Sequence, residues 1–167
     1  MGMTLADAKE INRLINEVKI CDISVGSGHF LVSALNRIIA IKKQLGVLFK
    51  HGKDELLTEY DIDVIDDILS VYDGQGNNVL SQLVQETLFN EKRTIIENCL
   101  FGVDLNSKAV AICQLRLWIE LLKNAYYKNE VMETLPNIDI NIKSGNSLIN
   151  KLNFAIGSKI GQGGVEL

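Results

Sequence analysis

Apolar positions change their period along this chain, and each change marks an element. Thr4-Leu5-Ala6-Asp7 reads as a helix start, with Thr4 as N-cap and Asp7 in the first turn. Ile11, Leu14, Ile15 and Val18 continue it as a modest apolar stripe. Next comes Lys19-Ile20-Cys21-Asp22-Ile23-Ser24-Val25, where Ile20, Cys21, Ile23 and Val25 suit a short buried strand. Gly26-Ser27-Gly28 then forms a turn in which two missing Cβ atoms let the backbone bend sharply and come close to a ligand. After it, Leu31, Leu35, Ile38, Ile41 and Leu45 fall about one turn apart, predicting a long helix that stops near Gly46.

From about 47 to 98 the pattern turns polar and shows no clear strand. Ile62, Ile65, Leu69 and Tyr72 stand at helical spacing, and so do Leu80, Leu83, Val84 and Leu88. Residues 73–78 between them are a turn by composition. The acids Asp61, Asp63, Asp66 and Asp67 read as a helix start and its solvated face. The region is expected to be a helical insertion. Cys99-Leu100-Phe101-Gly102-Val103-Asp104-Leu105 is a second apolar strand ending in a carboxylate. Asn106-Ser107 caps a helix expected to run to about Tyr127. Its row Val110, Cys113, Leu117, Leu121, broadened by Ile112, Leu115, Trp118 and Leu122, predicts a wide buried face. Pro136 introduces the alternating run 137–143, a third strand that closes in Ser144-Gly145-Asn146-Ser147-Leu148. The glycine-containing tail, 151–167, is expected to be loosely ordered.

Length makes 1–167 a single domain. Lys plus Arg number 17 against 21 Asp plus Glu, giving a net charge of −4. That balance argues against this chain being the main grip on nucleic acid, which needs a basic face. Three cysteines without a C-x-x-C pair, and no secretory leader, point to a reducing, cytoplasmic setting. All three lie in apolar runs and read as buried small hydrophobes. No apolar run approaches membrane-spanning length, and no metal-ligand spacing stands out. The turn at 73–78 lacks the glycine of a calcium loop.

The chemistry concentrates around the glycines. A dinucleotide fingerprint needs a third glycine where Leu31 stands, and no Gly-Lys-Ser/Thr triplet is present. What remains is acid-x-x-x-Gly-x-Gly beginning at Asp22, with Ser24 inside the loop. This resembles motif I of S-adenosylmethionine (SAM) methyltransferases. SAM carries no phosphate, so Gly26 and Gly28 can serve by admitting its ribose and methionine moieties. Asp22 is a candidate for the methionine ammonium. Asp104, at the end of the second strand, is a candidate for the ribose hydroxyls, because a carboxylate accepts two hydrogen bonds in fixed geometry. Its distance from the glycines exceeds the usual 20 or so residues, and the insertion accounts for the excess. Leu105 is placed to pack on the adenine. Asn146 offers an acceptor to the exocyclic amine, and Ser147 and Leu148 lie where backbone donors come from. The plain alternatives are an ordinary glycine-rich turn and a strand-end Asp acting as a helix cap. Trp118 reads as core, His29 as a helix-start residue and His51 as a loop residue.

Together these stations resemble the cofactor-binding part of bacterial SAM-dependent DNA adenine methyltransferases of restriction-modification systems. The fused type IIG enzymes and their phage-resistance relatives are the nearest likeness. The resemblance rests on 22–31, on Gly102-Val103-Asp104-Leu105-Asn106 with Leu115-Arg116-Leu117-Trp118, and on Leu135-Pro136-Asn137-Ile138-Asp139 with Gly145-Asn146-Ser147-Leu148. It implies a Rossmann-like three-layer α/β sandwich with a partial parallel sheet of order 3-2-1, SAM as cofactor, and DNA as partner through regions outside this chain. Ile23 and Ser24 replace the family's usual Pro-Ala. The family's Asn/Asp-Pro-Pro-Tyr/Phe tetrapeptide is absent, since Pro136 is the only proline. The resemblance therefore implies a fragment with no catalytic residue, inactive alone. An open sheet edge suggests a weak homodimer. The competing readings are a non-catalytic SAM-fold scaffold or subunit, an NAD-binding oxidoreductase half, and a methyltransferase acting on RNA or a small molecule.

Overall fold

The computed structural model describes residues 3–50, 52–57, 61–65, 68–72, 78–125, 127–128, 131–132 and 141–148. Helix α1 (Leu5–Glu17) opens on a full capping box. The Thr4 hydroxyl accepts from the Asp7 amide at 3.2 Å, and the Asp7 carboxylate accepts from the Thr4 amide at 2.9 Å. Strand β1 (Ile20–Asp22) passes through the glycine turn into α2 (His29–Gln44). That helix ends as its sequence predicts. Gly46, at φ +65, donates to the Lys43 carbonyl, and Val47 donates to the Lys42 carbonyl, both at 2.9 Å.

The next segment corrects one expectation. Residues 61–65 and 68–72 do not form a helix; β2 (Asp61–Ile65) and β3 (Ile68–Tyr72) pair antiparallel and lie beside α2. Ile62, Val64, Ile65, Ile68 and Val71 are β-branched, a composition that favours strands. Helix α3 (Asn78–Asn98) is present, and longer than the second helical pattern. Strand β4 (Leu100–Asp104) leads into α4 (Ser107–Leu122), whose N-cap Asn106 accepts from the Lys108 amide at 3.0 Å. The helix stops short of Tyr127, because Tyr127–Lys128 (β5) pairs antiparallel with Val131–Met132 (β6). Of the expected third strand, 137–140 lie outside the described residues, and Ile142–Ser144 form β7. The tail 151–167 also lies outside them.

Strands β1, β4 and β7 form one parallel sheet in that order, with β4 central, which is the α/β arrangement and strand order expected. Parallel neighbours need crossover connections. Helices α2 and α3 lie between β1 and β4, and α4 lies between β4 and β7. A single core joins the sheet to its helices. Leu31, Leu35, Ile39, Leu88, Phe89, Ile96, Leu100 and Leu117 are among its fully buried members. Leu48, Leu57 and Val84 show that the 47–98 region adds to this core. Trp118 packs against it, as expected. Gly102 sits where three elements meet: a Cβ there would lie 2.9 Å from Val25 Cγ2 and 3.3 Å from Ile142 Cδ1.

Two buried lysines tie the helices together. Lys42, fully buried on α2, donates to Asn16 Oδ1 at 2.6 Å and to Glu91 Oε2 at 2.5 Å, joining α1, α2 and α3. Lys92 on α3 donates to the Glu120 carbonyl of α4 at 3.0 Å, with the Glu120 carboxylate 3.6 Å away. Burial pulls the Lys92 ammonium down to about 8, against the opposing pull of Glu120.

Two further expectations need correction. Of its apolar residues, helix α4 buries the row Val110, Cys113, Leu117 and Leu121, while Ile112, Leu115 and Leu122 remain exposed. Cys99 and Cys113 are buried, but Cys21 is exposed. The side chains of neighbouring strand residues point to opposite faces of a sheet, and Cys21 falls on the face opposite to its half-buried neighbours Ile20 and Asp22.

Candidate cofactor cleft

The carboxyl ends of all three parallel strands open on one cleft of about 300 Å³. Ile23 and Ser24 come from the end of β1, Asp104 and Leu105 from the end of β4, and 145–148 from the end of β7. This is where open α/β sheets bind their ligands.

Asp104 organises the cleft. Its Oδ2 accepts from the Gly26 amide at 2.9 Å, and its Oδ1 accepts from the Asn106 amide at 2.8 Å. One carboxylate thus clamps the glycine loop to the start of α4. Those two hydrogen bonds, Asn106 first and Gly26 second, hold its pKa below the usual carboxylate value. An ionised carboxylate has about four acceptor sites, so two remain for a ligand. The loop is also held from below. The Val25 amide donates to the Val103 carbonyl at 3.0 Å, and the Gly28 amide to the Val25 carbonyl at 2.8 Å.

The two loop glycines have different reasons to be glycine. Gly26, at φ +51, has no atom of the described residues, its chain neighbours aside, within 4 Å of where a Cβ would stand, so its open side can admit a ligand. Gly28, at φ +80, has Cys113 Sγ only 2.5 Å from that point. Its missing side chain admits α4. Burial first, then the charge of Asp22, raises the Cys113 thiol to about 11, so it remains a neutral packing group.

Of the residues singled out from sequence, Ser24, Asp104, Leu105, Asn146 and Ser147 line the cleft. Gly26 joins it through Asp104. Asp22 and Gly28 are not among the lining residues. Asp22 Oδ1 accepts from the Ser24 amide at 3.0 Å, which shapes the loop from inside. Asn146 Oδ1 accepts from the Leu148 amide at 2.9 Å, which shapes the third wall in the same way. Sequence reasoning did not assign Ile23 and Gly145 to the walls. Ile23, Leu105 and Leu148 are 62%, 75% and 77% exposed, so three large apolar side chains surround a polar floor. Exposed apolar groups gathered at a cleft mark a ligand surface.

Comparison with known proteins fits this geometry. A Methanocaldococcus jannaschii protein assigned as a type II restriction enzyme and methyltransferase is 33% identical over 153 residues. The match covers 87% of this chain. The type II restriction enzyme and methyltransferase Eco57I of Escherichia coli is 28% identical over 137 residues, 79% of the chain. The chain is related to restriction-modification methyltransferases. It spans about a tenth of the length of these two relatives: 10% of the first and 11% of the second. No protein-family model matches the chain. No solved structure matches it either. Among the described residues, no helix is long and apolar enough to cross a membrane.

Proposed function

We propose that this chain is the SAM-binding portion of a DNA adenine-N6 methyltransferase from a restriction-modification or phage-defence system. The observation that carries the reading is the Asp104 clamp at the mouth of a strand-end cleft with apolar walls. The names of the two relatives supply the reaction class.

The residues present suit SAM. Leu105, with Ile23 and Leu148 as further walls, offers flat apolar surface to an adenine ring. The free acceptor sites of Asp104 suit the two ribose hydroxyls. Asn146 keeps its amide N–H groups and one lone pair for the adenine edge. The unused Asp22 oxygen suits the methionine ammonium, directly or through water. A cleft of about 300 Å³ is at the low end of small-molecule sites, a size for the adenosine end of SAM. When bound, SAM supplies an electrophilic methyl group. This chain's residues bind and orient, and the groups that receive the target adenine belong to the rest of the parent protein. Such catalysis rests mostly on positioning, and the base must leave the DNA stack. The chain alone is expected to methylate no DNA.

Calorimetric titration of the purified chain with SAM, and separately with NAD, tests the reading. SAM binding that Asp104→Ala weakens by about tenfold or more supports it. Equal binding of NAD, or SAM binding indifferent to Asp104, overturns it.

A further inference from the structure

A second and larger cavity, of about 650 Å³, lies between α1, residues 49–50 and 52–54, and α3. It shares no residue with the strand-end cleft. Its size falls within the range of small-molecule sites, roughly 300–1,000 Å³.

One wall is a row on α3 at positions i, i+3, i+4 and i+7: Thr87, Asn90, Glu91 and Thr94. Such a row is one face of a helix. The other faces of α3 bury Leu88, Phe89, Ile95 and Ile96 in the core. A row facing between elements is ordinarily apolar, and this one is polar throughout. Most of its groups are already engaged. The Thr94 hydroxyl donates to the Asn90 carbonyl at 2.9 Å, the Asn90 amide to the Glu86 carbonyl at 2.8 Å, and Glu91 accepts from Lys42. Thr87 is different. It is 1% exposed, lines the cavity, and its hydroxyl has no hydrogen-bond partner among the described residues. Across the cavity, Asn12 Oδ1 on α1 is buried and also has none among the described residues. Buried polar atoms in native proteins almost always find a partner, so this pair waits for one that the described residues do not supply.

The rest of the lining says what kind of partner. Lys9, Lys50 and Lys53 stand around the cavity. Lys9 is paired with Asp54 at 2.8 Å and Lys50 with Glu55 at 3.2 Å, both through exposed carboxylates. Exposed pairs of this kind contribute little, so an anionic ligand can replace them. Lys53 carries no ion pair among the described residues. Phe49 adds an aromatic side chain to the same lining.

We propose that this cavity binds a small phosphorylated molecule with sugar hydroxyls, of the sugar-phosphate or mononucleotide class. The phosphate lies among the lysines, the hydroxyls meet Thr87 and Asn12, and a base, where present, lies against Phe49. The site is separate from the SAM cleft.

The test is calorimetric titration of the purified chain with AMP, ribose 5-phosphate and inorganic phosphate, repeated on Lys53→Glu, Thr87→Val and Asp104→Ala. AMP or ribose 5-phosphate is expected to bind, with about tenfold or greater loss in Lys53→Glu and in Thr87→Val and no loss in Asp104→Ala. AMP the tighter of the two assigns the ring to Phe49, whereas equal affinities assign the site to the sugar phosphate. Thr87→Val has a second readout: it replaces an unpartnered buried hydroxyl with a methyl group, so the unliganded chain should melt no lower than wild type. The proposal is overturned by binding of neither organic phosphate, by binding of inorganic phosphate alone, or by binding that survives Lys53→Glu and Thr87→Val. Binding lost in Asp104→Ala also overturns it, since the ligand would then belong to the strand-end cleft.

Discussion

Replacing Gly28 with alanine separates the two uses of glycine in the turn. The new methyl group meets two penalties. Left-handed backbone, here φ +80, costs an L-residue about 1–2 kcal/mol. The Cβ also lands 2.5 Å from Cys113 Sγ, and overfilling a packed core costs about 1–3 kcal/mol. Cys113 is fully buried on α4 and cannot swing into solvent. Gly28→Ala should therefore lose about 2–5 kcal/mol, a large share of the ~5–15 kcal/mol typical of a folded domain. Gly26→Ala, with φ +51 and open space around it, meets only the first penalty and should lose about 1–2 kcal/mol. Urea unfolding followed by far-ultraviolet circular dichroism measures both. A cycle with Cys113→Ala isolates the contact, because removing Sγ leaves Cys113 Cβ, at 3.0 Å, as the nearest side-chain atom. The double variant should recover about 1–2 kcal/mol relative to additivity. Equal losses at Gly26 and Gly28, or strict additivity with Cys113→Ala, would refute this account of the turn.

Lys42→Met removes the partner of Glu91 in a nearly dry site and should destabilise by about 3–5 kcal/mol, read as a lower urea midpoint. Lys92 gives a pH signature. Its folded pKa of about 8 lies below the ordinary lysine value of 10.5, so the unfolded chain binds the extra proton between those values and stability rises with pH across that window. The difference in unfolding free energy between wild type and Lys92→Met should therefore grow from pH 8 to 10; a flat difference would contradict it. Cys113 works in the opposite sense. Its thiol is raised from 9.0 to about 11, so the unfolded chain ionises first and stability falls above pH 9, a fall that Cys113→Ala should reduce. Thr4→Ala breaks the capping box of α1 and should cost about 1 kcal/mol, measured by the same unfolding experiment.

Much of the fold was legible because local chemistry and tertiary structure agree there. The Thr4 cap, the stop at Gly46, the Asn106 cap and the strand ending in Asp104 each have one short-range cause, and each stands where the pattern put it. Residues 61–72 misled because Ile62, Ile65, Leu69 and Tyr72 satisfy a helical period while lying in β-branched runs. Pairing of the two halves then decides between the readings. On α4 the apolar pattern overstated burial, since hydrophobicity says what can be buried and not what lies opposite. The cleft was readable as a set of strand ends, with Asp104, Leu105 and Asn146 among its walls. The division of labour between the glycines was not readable. Cys113 lies 85 positions after Gly28 in the sequence, and nothing local joins them. Thr87 and Asn12 were likewise unremarkable until two helices placed them on one cavity.

The central claim is that SAM is held at the strand ends by the Asp104 clamp. Titrating the ¹⁵N-labelled chain with SAM and following backbone amide resonances tests it most directly. The account predicts that the amides of Ser24, Gly26, Leu105, Asn106, Ser147 and Leu148 shift with one common affinity, while those of Lys53 and Thr87 stay in place. Shifts centred on Lys53 and Thr87, or none at the strand ends with SAM in excess, would contradict it.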